Sequence, residues 1–486
     1  MKKYLLSLVM IICACVMIFA GCGAKGLGDN PPTDATITGN GGYAIQKGDY
    51  LYYVNGYVKD YATELDDYKK DNVEGKVVYG AIYRTKLSNG QLNKDSKGFL
   101  DKSECVVSKV VGYEQGGFYI VGDYIYYATP YMNEDSDGVI QNTRISFNRI
   151  KIDGTKNKEM YVSEEGATDI DWRINVYDGK TYLVVAQNIP VVEEDGKEST
   201  KNVVTSVLDK GKKFPKTTVA EGYTEVVFSD DVNLSNEYFF YTRSVKENEK
   251  SYSTAGTLIC KASIVSGGET VYELDKTSTY GLVDYANGRL YATKKVEGSK
   301  TFLYSFNANV NLVNQTPIKL SNAEYKNYYT IEGVPHSVIA VNDSSLVRLT
   351  NQNGAVQSPE TLTSAVSNVI CVEEGFVYYY ESNVVYRISL SDGEKQTVSG
   401  VGEAKNKTFL IDSVSMVDVD GKYVYVYAAY TAADGSTTSY YLNRINTLKS
   451  EMVAEFVGVM ADEHMVAEPE ANNDSEESTD NLKWVY

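Results

Sequence analysis

Histidine and tryptophan are nearly missing from this chain, with two of each among 486 residues. His336 and His464 are the only imidazoles, and neither has a neighbouring motif that would make it a base. Two distant histidines and scattered cysteines build no zinc pattern. No Gly-x-Ser-x-Gly stands in a nucleophile-elbow context. Positive charge is also short: 47 Lys and Arg against 65 Asp and Glu leave a net charge of −18. That balance argues against binding nucleic acid or anionic lipid by electrostatics. The apolar run from Leu5 to Phe19 is shorter than the roughly 20 residues of a bilayer-spanning helix.

Tyrosine, by contrast, is plentiful at 42 residues, and it favours the half-buried surfaces of β-sheets. Much of it falls in one recurring stretch. Val121-Gly122-Asp123-Tyr124-Ile125-Tyr126-Tyr127 has a near copy in Gly48-Asp49-Tyr50-Leu51-Tyr52-Tyr53. Looser copies begin near Asp178, Ser235, Asn287, Gly375 and Asp420. A Gly, Asn or Asp turn leading into an aromatic and aliphatic run is the signature of a hairpin entering a strand. A second hairpin follows in each unit, as in Val384–Leu390 before Ser391-Asp392-Gly393.

Four short antiparallel strands per unit, repeated in this way, predict an all-β fold, a single β-propeller of four-stranded blades. One blade cannot bury both faces of its sheet alone, so neighbours must cover it. The count is eight, or seven if the Thr330–Pro359 region merges with a neighbour. A stack of β-sandwiches is the runner-up. The sixth unit is expected to open on Ser337–Asp343, where the aromatic run has decayed.

The N-terminus reads as a secretory signal: basic Lys2-Lys3, an apolar stretch, then small residues. Phe19-Ala20-Gly21-Cys22 resembles the lipobox of bacterial lipoproteins, with Phe19 where Leu is usual. The resemblance implies that Cys22 is lipidated and becomes the mature N-terminus, fixing the protein on the outer face of the bacterial cell membrane. The expected domains are a signal at 1–21, a flexible Gly/Pro/Asn-rich linker at 22–41, the propeller at 42–466 and a disordered acidic tail at 467–486. Cys13 and Cys15 leave with the signal. Cys105, Cys260 and Cys371 remain; one pair could form a disulfide, but their spacing sets no framework, and they read as small buried hydrophobes.

The units also resemble those of a bacterial lipoprotein propeller family of unknown function, itself similar to the low-density-lipoprotein-receptor type. Gly80–Arg84, Phe147–Gly154 and Gly375–Tyr379 with Val385–Gly393 carry the likeness. It covers most of residues 42 to 460, although the receptor signature Tyr-Trp-Thr-Asp is absent. It implies a fold and an extracytoplasmic address, and no reaction.

Two candidate sites stand out. Asn133, Asp135 and Asp137 before Gly138 place side-chain oxygens as at the front of a calcium loop. The twelfth position is Arg144 rather than the bidentate Glu such a loop requires, which favours a solvated acidic loop over a calcium site, and no other cofactor is implied. Tyr57, Tyr61, Tyr68, Tyr79 and Tyr131 lie in or beside the long loops after the second strands of the first two units, where they could form an aromatic surface for sugar or peptide. General tyrosine abundance is the competing explanation. The function expected is a membrane-anchored binding or scaffold module for surface protein, peptide or glycan. The alternative is an extracytoplasmic hydrolase or lyase using carboxylates of the propeller funnel.

Overall fold

The structure is a computed structural model. It describes residues 27–459 except 29, 32–36, 39–41, 59–72, 75–76, 79, 95–99, 110, 112–116, 132, 135–139, 142–143, 194–195, 230–236, 247–256, 273–277, 297, 310–315, 383, 400–408, 417–422, 432–437 and 449–453. The fold class is an all-β propeller of eight four-stranded antiparallel blades, and no helix occurs among the described residues. The chain divides into two compact units, residues 1–162 with 401–486, and residues 163–400.

The first unit holds three blades. Blade 1 runs Ala44–Lys47, Tyr50–Val54, Ile82–Ser88 and Glu104–Val107. Blade 2 runs Phe118–Val121, Tyr124–Pro130, Ile145–Lys151 and Lys158–Val162. Blade 8 runs Phe409–Met416, Tyr423–Thr431, Thr438–Asn446 and Ala454–Val457. One core joins them, bringing Tyr423, Tyr425, Leu442 and Val457 against Leu51, Tyr53, Ile82, Phe118 and Ile150.

Sequence-distant segments are sewn together here. Tyr57–Val58, which leaves blade 1, pairs with the third strand of blade 8. The Asn55 amide donates to Val459 O at 3.0 Å and accepts from Val459 N at 2.8 Å. The part of 22–41 expected as a flexible spacer also makes structure. Ile37–Thr38 adds a fifth strand to blade 2 beside Val121 and Ile120. Leu27 N donates to Asp153 O at 2.9 Å. Composition alone hid this, because a Gly/Pro/Asn-rich segment can still be held where buried donors need acceptors.

The second unit holds five blades, all of the same meander. Their first strands are Thr168–Tyr177, Glu225–Val227, Ser278–Ala286, Asn327–Thr330 and Asn368–Glu373. The sixth blade therefore opens on Asn327–Thr330, and Ser337–Asn342 is its second strand, a correction to the sequence expectation. Blade 3 is the longest: its second and third strands, Lys180–Val192 and Glu198–Leu208, continue as a two-stranded arm beyond Asn188 and Asn202.

One frame recurs in both units. An Arg or Lys on the third strand lies opposite an aromatic residue of the second, as in Tyr52–Arg84, Tyr126–Arg149, Phe240–Lys261, Tyr378–Arg387 and Tyr425–Arg444. Its cation stacks on the aromatic two positions earlier: Tyr50, Tyr124, Tyr238, Phe376 and Tyr423, at 4.8, 4.2, 4.1, 4.2 and 4.1 Å. The fourth strand supplies the acceptor, Glu104 to Arg84 and Glu455 to Arg444 at 2.9 Å, and Gln396 to Arg387 at 2.8 Å. The cation then reaches a carbonyl at the end of the next blade's third strand or its turn, Lys261 to Ala308 and Arg444 to Gly90; Arg348, which lies opposite Ile339, makes the same reach to Leu390. Buried charge is tolerated where it meets both an aromatic ring and an acceptor, as at Arg84, Arg387 and Arg444.

Candidate functional site

Accessibility separates the strands within a blade. Second and third strands are buried through their central residues; Leu51 to Tyr53, Val184 to Val185 and Val377 to Tyr379 are almost wholly covered. First strands of the second unit are half-buried along much of their length. Those of blades 4 to 7 pack side by side in succession. Each pairs with a strand of its own sheet on one edge only.

These edges carry carboxylates. Asp169 and Asp171 stand on blade 3, Glu225 on blade 4, Asp284 on blade 5 and Glu373 on blade 7, with Glu332 in the turn after the first strand of blade 6. β-Bulges interrupt the first strands at 168/171, 282/284 and 369/371, and so turn side chains out of the regular alternation. Asp169 sits there at φ 47°, the left-handed region.

Several of the carboxylates are fixed from the neighbouring first strand. Glu225 accepts from Leu282 N at 2.7 Å, satisfying a backbone donor beside the bulge of blade 5. Asp284 accepts from Tyr285 N at 2.7 Å and from the Thr330 hydroxyl. Asp169 accepts from the Asn188 amide at 2.6 Å, and Asp171 pairs with Arg173 at 3.5 Å. Burial, with Asp171 and Asp169 nearby, pushes the Tyr223 phenol up to about 12. Burial likewise raises the Glu373 carboxyl to about 7, with Glu332 and Glu374 adding to the effect. Half-exposed Tyr328, Tyr329 and Thr330 lie in the same row. The arrangement offers hydrogen-bond acceptors, negative charge and ring faces along adjoining strand edges.

The residues singled out from sequence are placed differently. Cys22, Tyr61, Tyr68, Tyr79, Asp135 and Asp137 lie outside the described residues. Asn133 falls in a two-residue strand paired with Gln141. Tyr57 is drawn by its backbone to Tyr440 of blade 8. Tyr131 is half-buried, its N–H bonded to Arg144 O at 2.8 Å and its ring 5.3 Å from the Arg144 guanidinium. Arg144 thus serves Tyr131 at the position where a calcium loop needs a carboxylate. His336 is exposed, and Cys105, Cys260 and Cys371 are all free thiols, Cys260 fully buried and the other two partly so. The first-strand carboxylates were missed because single acids in short, bulged strands carry no periodic signal.

The class so defined is an eight-bladed, all-β propeller with acidic, tyrosine-bearing first-strand edges in its second unit. No protein-family model and no curated protein matches the chain. Among solved structures, one from a study of two prolyl endopeptidases is similar at 12% identity and TM-score 0.42, over 85% of this chain and 55% of that one. Prolyl oligopeptidase B from Galerina marginata is similar at 11% identity and TM-score 0.42, over 70% of this chain and 50% of that one. The chain spans about half the length of each.

Proposed function

We propose that the protein is an exported, lipid-anchored propeller that binds a surface protein, peptide or glycan. The lipobox resemblance at Phe19–Cys22 supports the address, and the likeness to a lipoprotein propeller family points the same way. The observation that carries the binding reading is the row of accessible first strands in the second unit, tied to one another through Glu225 to Leu282 N and Asp284 to the Thr330 hydroxyl. Conformationally fixed acceptors and rings lose little freedom when a ligand arrives. The test is a peptide and glycan array probed with the protein lacking its signal. Binding that falls at least tenfold in Tyr329→Ala supports the reading. Hits unaffected by substitutions at Tyr329, Glu225 and Asp284 contradict it.

Glu373 favours a second reading, the carboxylate-based hydrolase or lyase. A carboxyl raised to about 7 can hold a proton near neutrality and deliver it to a leaving group. Turnover of an array hit that disappears in Glu373→Gln, with binding retained, would select this reading over the first.

A further inference from the structure

The N-terminal strap suggests which end of the first unit faces the membrane. Arg84 is fully buried, and its guanidinium donates to Gly28 O at 2.6 Å and to Asn30 Oδ1 at 2.8 Å. Leu27 N is bonded to Asp153 O, in the turn joining the third and fourth strands of blade 2. In blades 4, 6 and 8 the third-strand cation reaches directly to the next blade, as Arg444 does to Gly90 O. Between blades 1 and 2 the strap takes that place, so it is part of the seam.

We propose that this strap fixes the orientation of the first unit on the bilayer, its turn end inward and the opposite end, where Val54 and Pro130 close the second strands, outward. The inference rests on the reading of Cys22 as the lipid-bearing residue. Five residue steps separate Cys22 from Leu27, a contour of at most about 18 Å. In an antiparallel meander the first-to-second and third-to-fourth turns share one end of the blade. Gly48–Asp49, Gly122–Asp123 and Asp153–Gly154 are such turns, and bonds from Leu87 N to Asp49 O and from Ile152 N to Asp123 O tie the paired turns together. The loops between second and third strands leave from the opposite end, about 20 Å away along a strand such as Tyr124–Pro130. The tether is too short to carry the anchor past the blade to that end. The strand ends at Val54 and Pro130, and the strand Ile140–Gln141 beside them, therefore face away from the lipid, toward the medium.

The experiment uses full-length protein purified from membranes after metabolic labelling with an alkyne palmitate, then placed in vesicles carrying a headgroup-level quencher. A fluorophore is attached at Lys156→Cys, in the blade 2 turn, or at Gln141→Cys, in the outward hairpin; the parent protein controls for labelling of native thiols. Quenching at least threefold stronger at position 156 is expected. A ten-residue Gly/Ser insertion before Leu27 should bring the two positions toward equality. Equal or reversed quenching in the uninserted, palmitate-labelled protein overturns the orientation alone. Absence of palmitate at Cys22 overturns the anchor reading, and the orientation with it.

Discussion

Glu373 makes a pH-dependent contribution that can be measured apart from any ligand. Its folded-state carboxyl titrates at about 7 because burial penalises the anion, whereas an unfolded carboxyl titrates near 4.5. The folded state thus binds the extra proton between these values, and stability falls as pH rises from about 4.5 through 7. Partial solvent screening holds the effect to about 2 kcal/mol. Glu373→Gln should flatten that descent and be the more stable form at pH 8, read from urea midpoints at pH 5 and 8. The Arg444–Glu455 pair behaves differently. Arg444 is fully buried, so Glu455→Ala strands a cation and should cost about 3 kcal/mol in denaturant unfolding. An unchanged midpoint would show that Tyr423 and Gly90 O suffice.

At the scale of elements, Asn55 closes the join between chain-distant segments of the first unit with two bonds to Val459. Asn55→Ala should destabilise the protein by about 1–3 kcal/mol and expose the segment after Val457 to limited proteolysis. The second and third strands were legible in the sequence because a turn leads into an unbroken aromatic and aliphatic run, buried on both faces, as in Tyr50–Val54. The run Val384–Leu390 of the sequence corresponds to the strand Val384–Ser389. First strands were far less legible. Glu225–Val227 has three residues, and Ser278–Ala286 is bulged, half-buried and lacks a continuous apolar run. The third-blade arm carries no clear strand signal, because its outer residues are polar or exposed. The strap was read as spacer because nothing local in Gly28 or Asn30 announces the Arg84 guanidinium, 54 or more residues away.

For the whole molecule, the same frame explains both the tyrosine excess and the difficulty of finding a site by composition. Most ring-bearing positions of the repeat are spent on packing: Tyr52, Tyr53, Tyr127, Tyr378 and Tyr425 are all buried. Abundance therefore pointed to loops, whereas accessible rings such as Tyr329 sit among carboxylates on the first strands. The most direct measurement is photocrosslinking on intact cells, with a photoreactive residue at Tyr329 and a control at Lys213 in an exposed turn of blade 3. The account predicts a discrete adduct from position 329 that is absent from position 213. No adduct at 329, or the same adduct from both positions, would contradict it.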